Sequence, residues 1–162
     1  MAITNQSLFL LQLLAILGSG LVAGVFFAFS SFVMKALARL KPPEGIAAMQ
    51  SINITVINPL FMTPLFGTGI ICLFLTVSAL LKWHQPNSIY LLIGSLFYIV
   101  GTVLVTIIFN VPLNDALAKA DPSSIEGANL WASYLTNWTL WNHLRTVAAL
   151  VATALLAIAL CY

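Results

Sequence analysis

Residues 8–34 read LFLLQLLAILGSGLVAGVFFAFSSFVM, a run of twenty-seven residues without a charge. A helix needs about 20 apolar residues to cross the hydrocarbon core of a bilayer. Three more charge-free runs follow, at 54–81, 88–111 and 146–162; the last is short and borrows a turn from 141–145. In lipid the backbone must satisfy its own hydrogen bonds, and these runs are too long for barrel strands. They predict an all-α protein: a four-transmembrane-helix bundle with spans near 7–36, 57–82, 88–110 and 139–162. The whole chain, 1–162, reads as a single integral membrane domain.

Composition supports the same reading. Hydrophobic residues make up 61% of the chain and charged residues 6%, and the mean hydropathy is +1.05. A soluble domain carries about 25% charge, so ten charged side chains cannot coat this chain for water. Disorder needs low hydrophobicity, and a nucleic-acid partner needs a basic face; neither fits, so the partner is the lipid bilayer. Cys72 and Cys161 form no disulfide framework and no zinc spacing. The first run lacks a preceding Lys or Arg and exceeds a signal peptide's apolar region of about 7–15 residues, so it reads as a mature helix. Gly20 and Gly24 have the spacing that lets helices approach closely. They serve either packing within the bundle or the seam of a homodimer.

The first connection, about 37–56, holds Lys41-Pro42-Pro43-Glu44 and then a short amphipathic helix. The third, about 111–138, offers Asp121 or Ser123 as a helix cap with Glu126 in the first turn. Apolar Leu130, Trp131, Tyr134, Leu135, Trp138 and Trp141 follow at helical spacing. This predicts an interfacial helix running into the fourth span. Lys35, Arg39, Lys41, Lys119 and Arg145 lie on the side of connections 1 and 3, against Lys82 opposite, so the positive-inside rule puts those two connections in the cytoplasm.

Polar chemistry gathers at that same end of the spans. Asn53 and Asn58 fall where helix 2 begins, Asn110 and Asn114 where helix 3 ends, and Asn142, His143 and Arg145 where helix 4 begins. Amides and charges avoid lipid, and several of them over an apolar interior describe a ligand pocket. Asn58-Pro59 and Val111-Pro112 share a level. Pro112 disfavours helical geometry at Val111, so the asparagines either cap broken helix ends or line a cavity. His143 is the side chain suited to proton transfer near neutral pH. A fixed cation beside it, Arg145, can steady the anion left behind; the plainer alternative is an interfacial His with an Arg snorkelling to lipid phosphates. Too few His and carboxylates share a side to build a metal site, no nucleotide, flavin or covalent-haem motif occurs, and no cofactor is expected.

Several segments together resemble one family: Phe26-Phe27-Ala28-Phe29-Ser30-Ser31-Phe32-Val33-Met34, Met49-Gln50-Ser51-Ile52-Asn53, Ile57-Asn58-Pro59-Leu60-Phe61, Asn110-Val111-Pro112-Leu113-Asn114 and Trp138-Thr139-Leu140-Trp141-Asn142-His143-Leu144-Arg145-Thr146. The chain is similar to the anthrone oxygenase-like family of small four-helix membrane proteins over essentially its whole length. Most members are bacterial, which implies a bacterial inner membrane. The resemblance implies a cofactor-independent oxidation of a hydrophobic aromatic, anthrone-like molecule by O₂, begun by deprotonation of an acidic C–H. With that chemistry in view, His143 is the expected base, and Arg145 with Asn142 would stabilise the oxyanion. Asn110 and Asn114 would orient the substrate and Trp138 would stack on its rings, with Asn53 and Asn58 also binding it. The alternative is a non-catalytic protein that holds a hydrophobic metabolite or lipid, or an accessory subunit.

Overall fold

Each charge-free run forms a helix. The computed structural model describes residues 5–162, all-helical with no strand among them. The helices are α1 (Gln6–Leu37), the shorter α2 (Pro42–Thr55), α3 (Pro59–Leu81), α4 (Ser88–Ala118) and α5 (Ile125–Cys161). Each of the four longer ones is long and apolar enough to cross a membrane. They form an antiparallel ring in which α1 packs on α3 and α5, and α4 packs on α3 and α5. Connections 1 and 3 therefore meet at one end.

Side-chain size sorts the surface from the interior. Leu17, Leu21, Phe27, Leu81, Leu140 and Val147 face outward, whereas Ala15, Ser19, Ala23, Ser95, Ala148, Ala149 and Ala152 are buried. Lipid is as apolar as leucine, so burying leucine gains little there; small residues instead let backbones approach and gain dispersion contacts. Gly18 of α1 lies against Thr68 of α3, and Gly101 of α4 lies against the Ala148 methyl of α5, with no room for a β-carbon at either glycine. Gly20 faces Thr153, and Gly24 has open space beside it.

The other end is built differently. Pro42 and Pro43 open α2, where a fixed φ and a missing N–H cost nothing. Ile46 and Met49 then press into a core with Leu117, Trp131, Tyr134 and Trp138. Asn58 caps α3, its side-chain oxygen accepting from Phe61 N at 3.2 Å. Ser124 caps α5, accepting from Gly127 N at 2.9 Å.

One helix boundary differs from the sequence expectation. The third span does not stop at 110: α4 continues through Pro112 to Ala118. A π-helical stretch, Thr106–Asn110, ends two residues before the proline, and Val111 N donates to Thr106 O. Wider turns change which carbonyl each N–H meets, so the missing proline N–H is absorbed without a break. The aromatic stripe and the fourth span form one continuous helix from Ile125, as a helix running on into that span requires. Further π-helical turns occupy Phe29–Val33 in α1, Thr63–Gly67 in α3 and Phe97–Leu104 in α4.

Candidate functional site

On α5, Trp131, Tyr134, Trp138, Asn142, Arg145, Ala149, Ala152 and Leu156 are all buried. They recur at three- and four-residue steps, so one stripe faces the bundle axis throughout. The stripe is aromatic at one end, small and aliphatic at the other, and strongly polar only at Asn142 and Arg145. On α4, Thr106, Asn110 and Asn114 answer it. Four-residue steps on an α-helix drift by about 40° each; π turns hold more residues and reduce that drift. The three side chains stay on the α5-facing side in consequence. Asn110 Nδ2 donates to Trp138 O at 3.2 Å. Asn114 Oδ1 accepts from both Tyr134 OH and Trp138 Nε1, each at 2.8 Å. Two donors on one atom fix that atom as the oxygen, which leaves the Asn114 amide N–H groups without an acceptor among the described residues.

Arg145 is buried, 4% exposed. Its Nη1 donates to Thr106 Oγ1 at 3.2 Å and its Nη2 to Asn142 Oδ1 at 2.8 Å. The guanidinium carbon stands 4.1 Å from the Phe26 ring centroid and 5.2 Å from that of Trp138. Nε has no partner. Asn142 is held in turn, donating to Phe26 O at 2.8 Å and Ser30 Oγ at 2.7 Å. No carboxylate pairs with Arg145 among the described residues. Burying an unpaired guanidinium costs several kcal/mol, and each desolvated ring face returns about 2 kcal/mol. Two of its five N–H donors are used, so the site keeps positive charge and hydrogen-bond capacity for an anionic oxygen.

Arg145 faces a cavity of about 720 Å³ between α1, α2, α3, α4 and α5. Phe26, Phe29, Phe61, Leu65 and Trp138 form apolar walls, and Gln50, Asn53, Thr106, Asn114 and Asp115 add polar groups. Asn53 Nδ2 lies 3.5 Å from Tyr134 OH. Helices α3 and α4 pack together along 68–81 and 88–104, but residues 59–67 and 106–118 diverge, and the cavity lies between them.

The sequence-based candidates divide accordingly. Arg145, Asn53, Asn114 and Trp138 line the cavity, and Asn142 stands behind Arg145 as its support. Asn110 is buried behind the wall with its Oδ1 unpartnered. Asn58 spends its side chain on the α3 cap and on Thr55 O. His143 is exposed and does not line the cavity. Two residues on a helix are about 200° apart, so His143 and Arg145 cannot both follow the stripe. Asp115, Gln50, Thr106 and Phe26 were not expected there. Asp115 would have been found by continuing α4 past Pro112, because Val111, Asn114, Asp115 and Ala118 then form one helical face.

The fold and cavity define a class: a small four-span membrane protein with a lipophilic pocket and a buried cation in one half of the bundle. Residues 57–155, more than half of the chain, match the family model described as anthrone oxygenase, and the chain belongs to that family. The match takes in α3, α4 and most of α5, and therefore Arg145, Asn142, Asn114, Asp115 and Trp138. No curated protein and no solved structure matches the chain.

Proposed function

We propose that the protein oxidises a lipophilic polycyclic aromatic ketone of the anthrone type with O₂ inside this cavity. The observation that carries the reading is Arg145, a buried guanidinium with spare donors and no carboxylate partner, set in an apolar pocket. An anthrone has a carbonyl facing a CH₂ across its central ring. Removing one CH₂ proton gives an enolate whose negative oxygen suits Arg145, and charge developing in a dry, prearranged site is stabilised most. The enolate gives one electron to O₂. The resulting carbon radical and superoxide join at the former CH₂, and a proton completes the hydroperoxide. Loss of water from that carbon forms the second carbonyl. One anthrone and one O₂ thus yield one anthraquinone and one H₂O. Trp138 offers a face for a planar ring system, and Phe29, 5.6 Å away and tilted by 54°, closes the slot beside it. The divergence of α3 and α4 suits a substrate dissolved in the bilayer.

The test is oxygen uptake and quinone absorbance with anthrone and the purified protein in lipid nanodiscs. Turnover should fall about 100- to 1,000-fold in Arg145→Gln, the usual loss for an oxyanion donor, and Arg145→Lys should stay impaired for want of the planar fork. Undiminished turnover in folded Arg145→Gln removes Arg145 from the chemistry. A second reading, a non-catalytic binder of a lipophilic anion, rests on the same guanidinium. Arg145-dependent binding of an anthranol anion without O₂ consumption would favour it.

A further inference from the structure

Among the described residues, two ionisable side chains line the cavity, the buried Arg145 on α5 and the exposed Asp115 on α4. We propose that Asp115 is the base that takes the carbon-bound proton, an inference that rests on the oxidation proposed above.

Asp115 makes no hydrogen bond and no ion pair among the described residues, so its oxygens are free to accept. It follows Asn114, whose oxygen is tied to Tyr134 and Trp138, so the backbone that carries it is anchored to α5. Thr106, which holds the Arg145 guanidinium, lies nine residues earlier on α4, roughly 13 Å along a helix axis. Side chains tilt toward the N-terminus of their own helix. On antiparallel α4 and α5 this tilts Asp115 and Arg145 toward each other along the cavity. An anthrone needs its base at the CH₂ and its oxyanion donor at the carbonyl, on opposite sides of the central ring. With ordinary contact distances those two groups stand roughly 10 Å apart, which the separation on α4 accommodates. A direct Asp115–Arg145 ion pair would quench both groups, and none forms. An aspartate is base enough for a carbon acid next to a carbonyl when the enolate oxygen is stabilised elsewhere. The step is a simple transfer: the C–H electron pair moves into the enolate and the proton goes to an Asp115 oxygen. After O₂ has added, the same carboxyl can return that proton to the peroxide oxygen.

Proton removal can be read without oxidation. Under anaerobic conditions in D₂O, anthrone bound to the protein in nanodiscs should exchange its CH₂ hydrogens, followed by NMR. Exchange and aerobic quinone formation should both fall about 100-fold or more in Asp115→Asn. Asp115→Glu should recover part of both. Binding of anthraquinone, read by tryptophan fluorescence, should be unchanged in both variants. Wild-type exchange in Asp115→Asn overturns the inference while leaving the oxidation standing. So does a loss of exchange matched by an equal loss of anthraquinone binding, or a loss that appears in His143→Gln instead. If the wild-type protein neither exchanges nor oxidises anthrone, the oxidation itself fails and this inference with it.

Discussion

The two halves of the bundle solve the membrane problem in opposite ways. Toward the connection between α3 and α4, helices close on glycine, alanine and serine, with Ala15, Cys72, Ala79, Leu91 and Ala152 fully or almost fully buried. Toward connections 1 and 3, the same helices diverge and the space fills with Trp131, Tyr134, Trp138 and α2. The first half is dense and nearly free of charge. The second holds a void, a network of amides and the one buried guanidinium. Dense packing has few arrangements, whereas a cavity needs a rigid frame to stay open. The closed half works as a clamp, and the aromatic wall and α2 keep the open half from collapsing.

The largest effect should follow from crowding the clamp. At Gly101 a β-carbon would overlap the Ala148 methyl, with the α5 backbone close behind it. Gly101→Leu should cost about 1–3 kcal/mol or more, read as a large drop in the thermal midpoint in detergent. Ala118 lines the cavity and is exposed, so Ala118→Leu should leave the midpoint nearly unchanged while weakening anthraquinone binding. Equal losses in the two variants would break the contrast between the halves.

A smaller effect is expected from removing the buried charge. Breaking a buried ion pair costs about 3–5 kcal/mol because the partner charge is stranded. Arg145 has no partner charge to strand; Arg145→Met leaves only the Asn142 oxygen and the Thr106 hydroxyl to find new donors or acceptors. Relief of the buried charge offsets that loss, so stability should stay within about 2 kcal/mol of wild type. An anthranol anion should raise the thermal midpoint of the wild-type protein and not that of the variant, since a ligand stabilises only the state it binds. A loss of ion-pair size would mean that an anionic partner sits on Arg145 in the resting protein.

The closed half was easy to read in sequence and the open half was not. Charge-free runs report lipid contact directly, so four spans and their antiparallel order follow from residues 8–34, 54–81, 88–111 and 146–162 with little else. The Asn and Arg residues also announce a polar end, because each is costly in lipid. What composition cannot convey is direction. His143 and Arg145 are two residues apart and reach opposite faces of α5, so depth alone put both near one pocket. Pro112 had the local chemistry of a helix end, yet the π turns before it carry α4 onward. The last of those turns ends at Asn110, which meets Trp138 of α5, a contact far apart in sequence. Asp115 falls within the third connection by sequence and lies on a helix face in the structure.

The smallest perturbation decides which leaflet the cavity occupies. Arg145 is buried in the site, so the exposed cations beside connections 1 and 3 are Lys35, Arg39, Lys41 and Lys119. Lys82 is the counterweight across the membrane. From that imbalance the positive-inside rule predicts that the open half faces the cytoplasm. Single cysteines at Ser123→Cys and Gln85→Cys, in a background with Cys161→Ser, report this through membrane-impermeant thiol labelling of intact cells. Both positions are exposed, and surface changes of this kind move stability by about 0.5 kcal/mol or less. The Ser123 change has one local consequence. The Ser123 hydroxyl and N–H hold the Asp121 carboxyl below its ordinary range. Losing the hydroxyl lets that value rise toward the range of a free aspartate. A lowered carboxyl contributes stability above its unfolded value and loses it as pH falls through the folded value. The variant should therefore match wild type near neutral pH and differ only in acid, which leaves labelling at pH 7 undisturbed. Gln85→Cys should label from outside and Ser123→Cys only after the cells are opened. Labelling of Ser123→Cys from outside would invert the molecule and put the cavity in the outer leaflet. Labelling of both positions from one side would contradict the four-span ring itself.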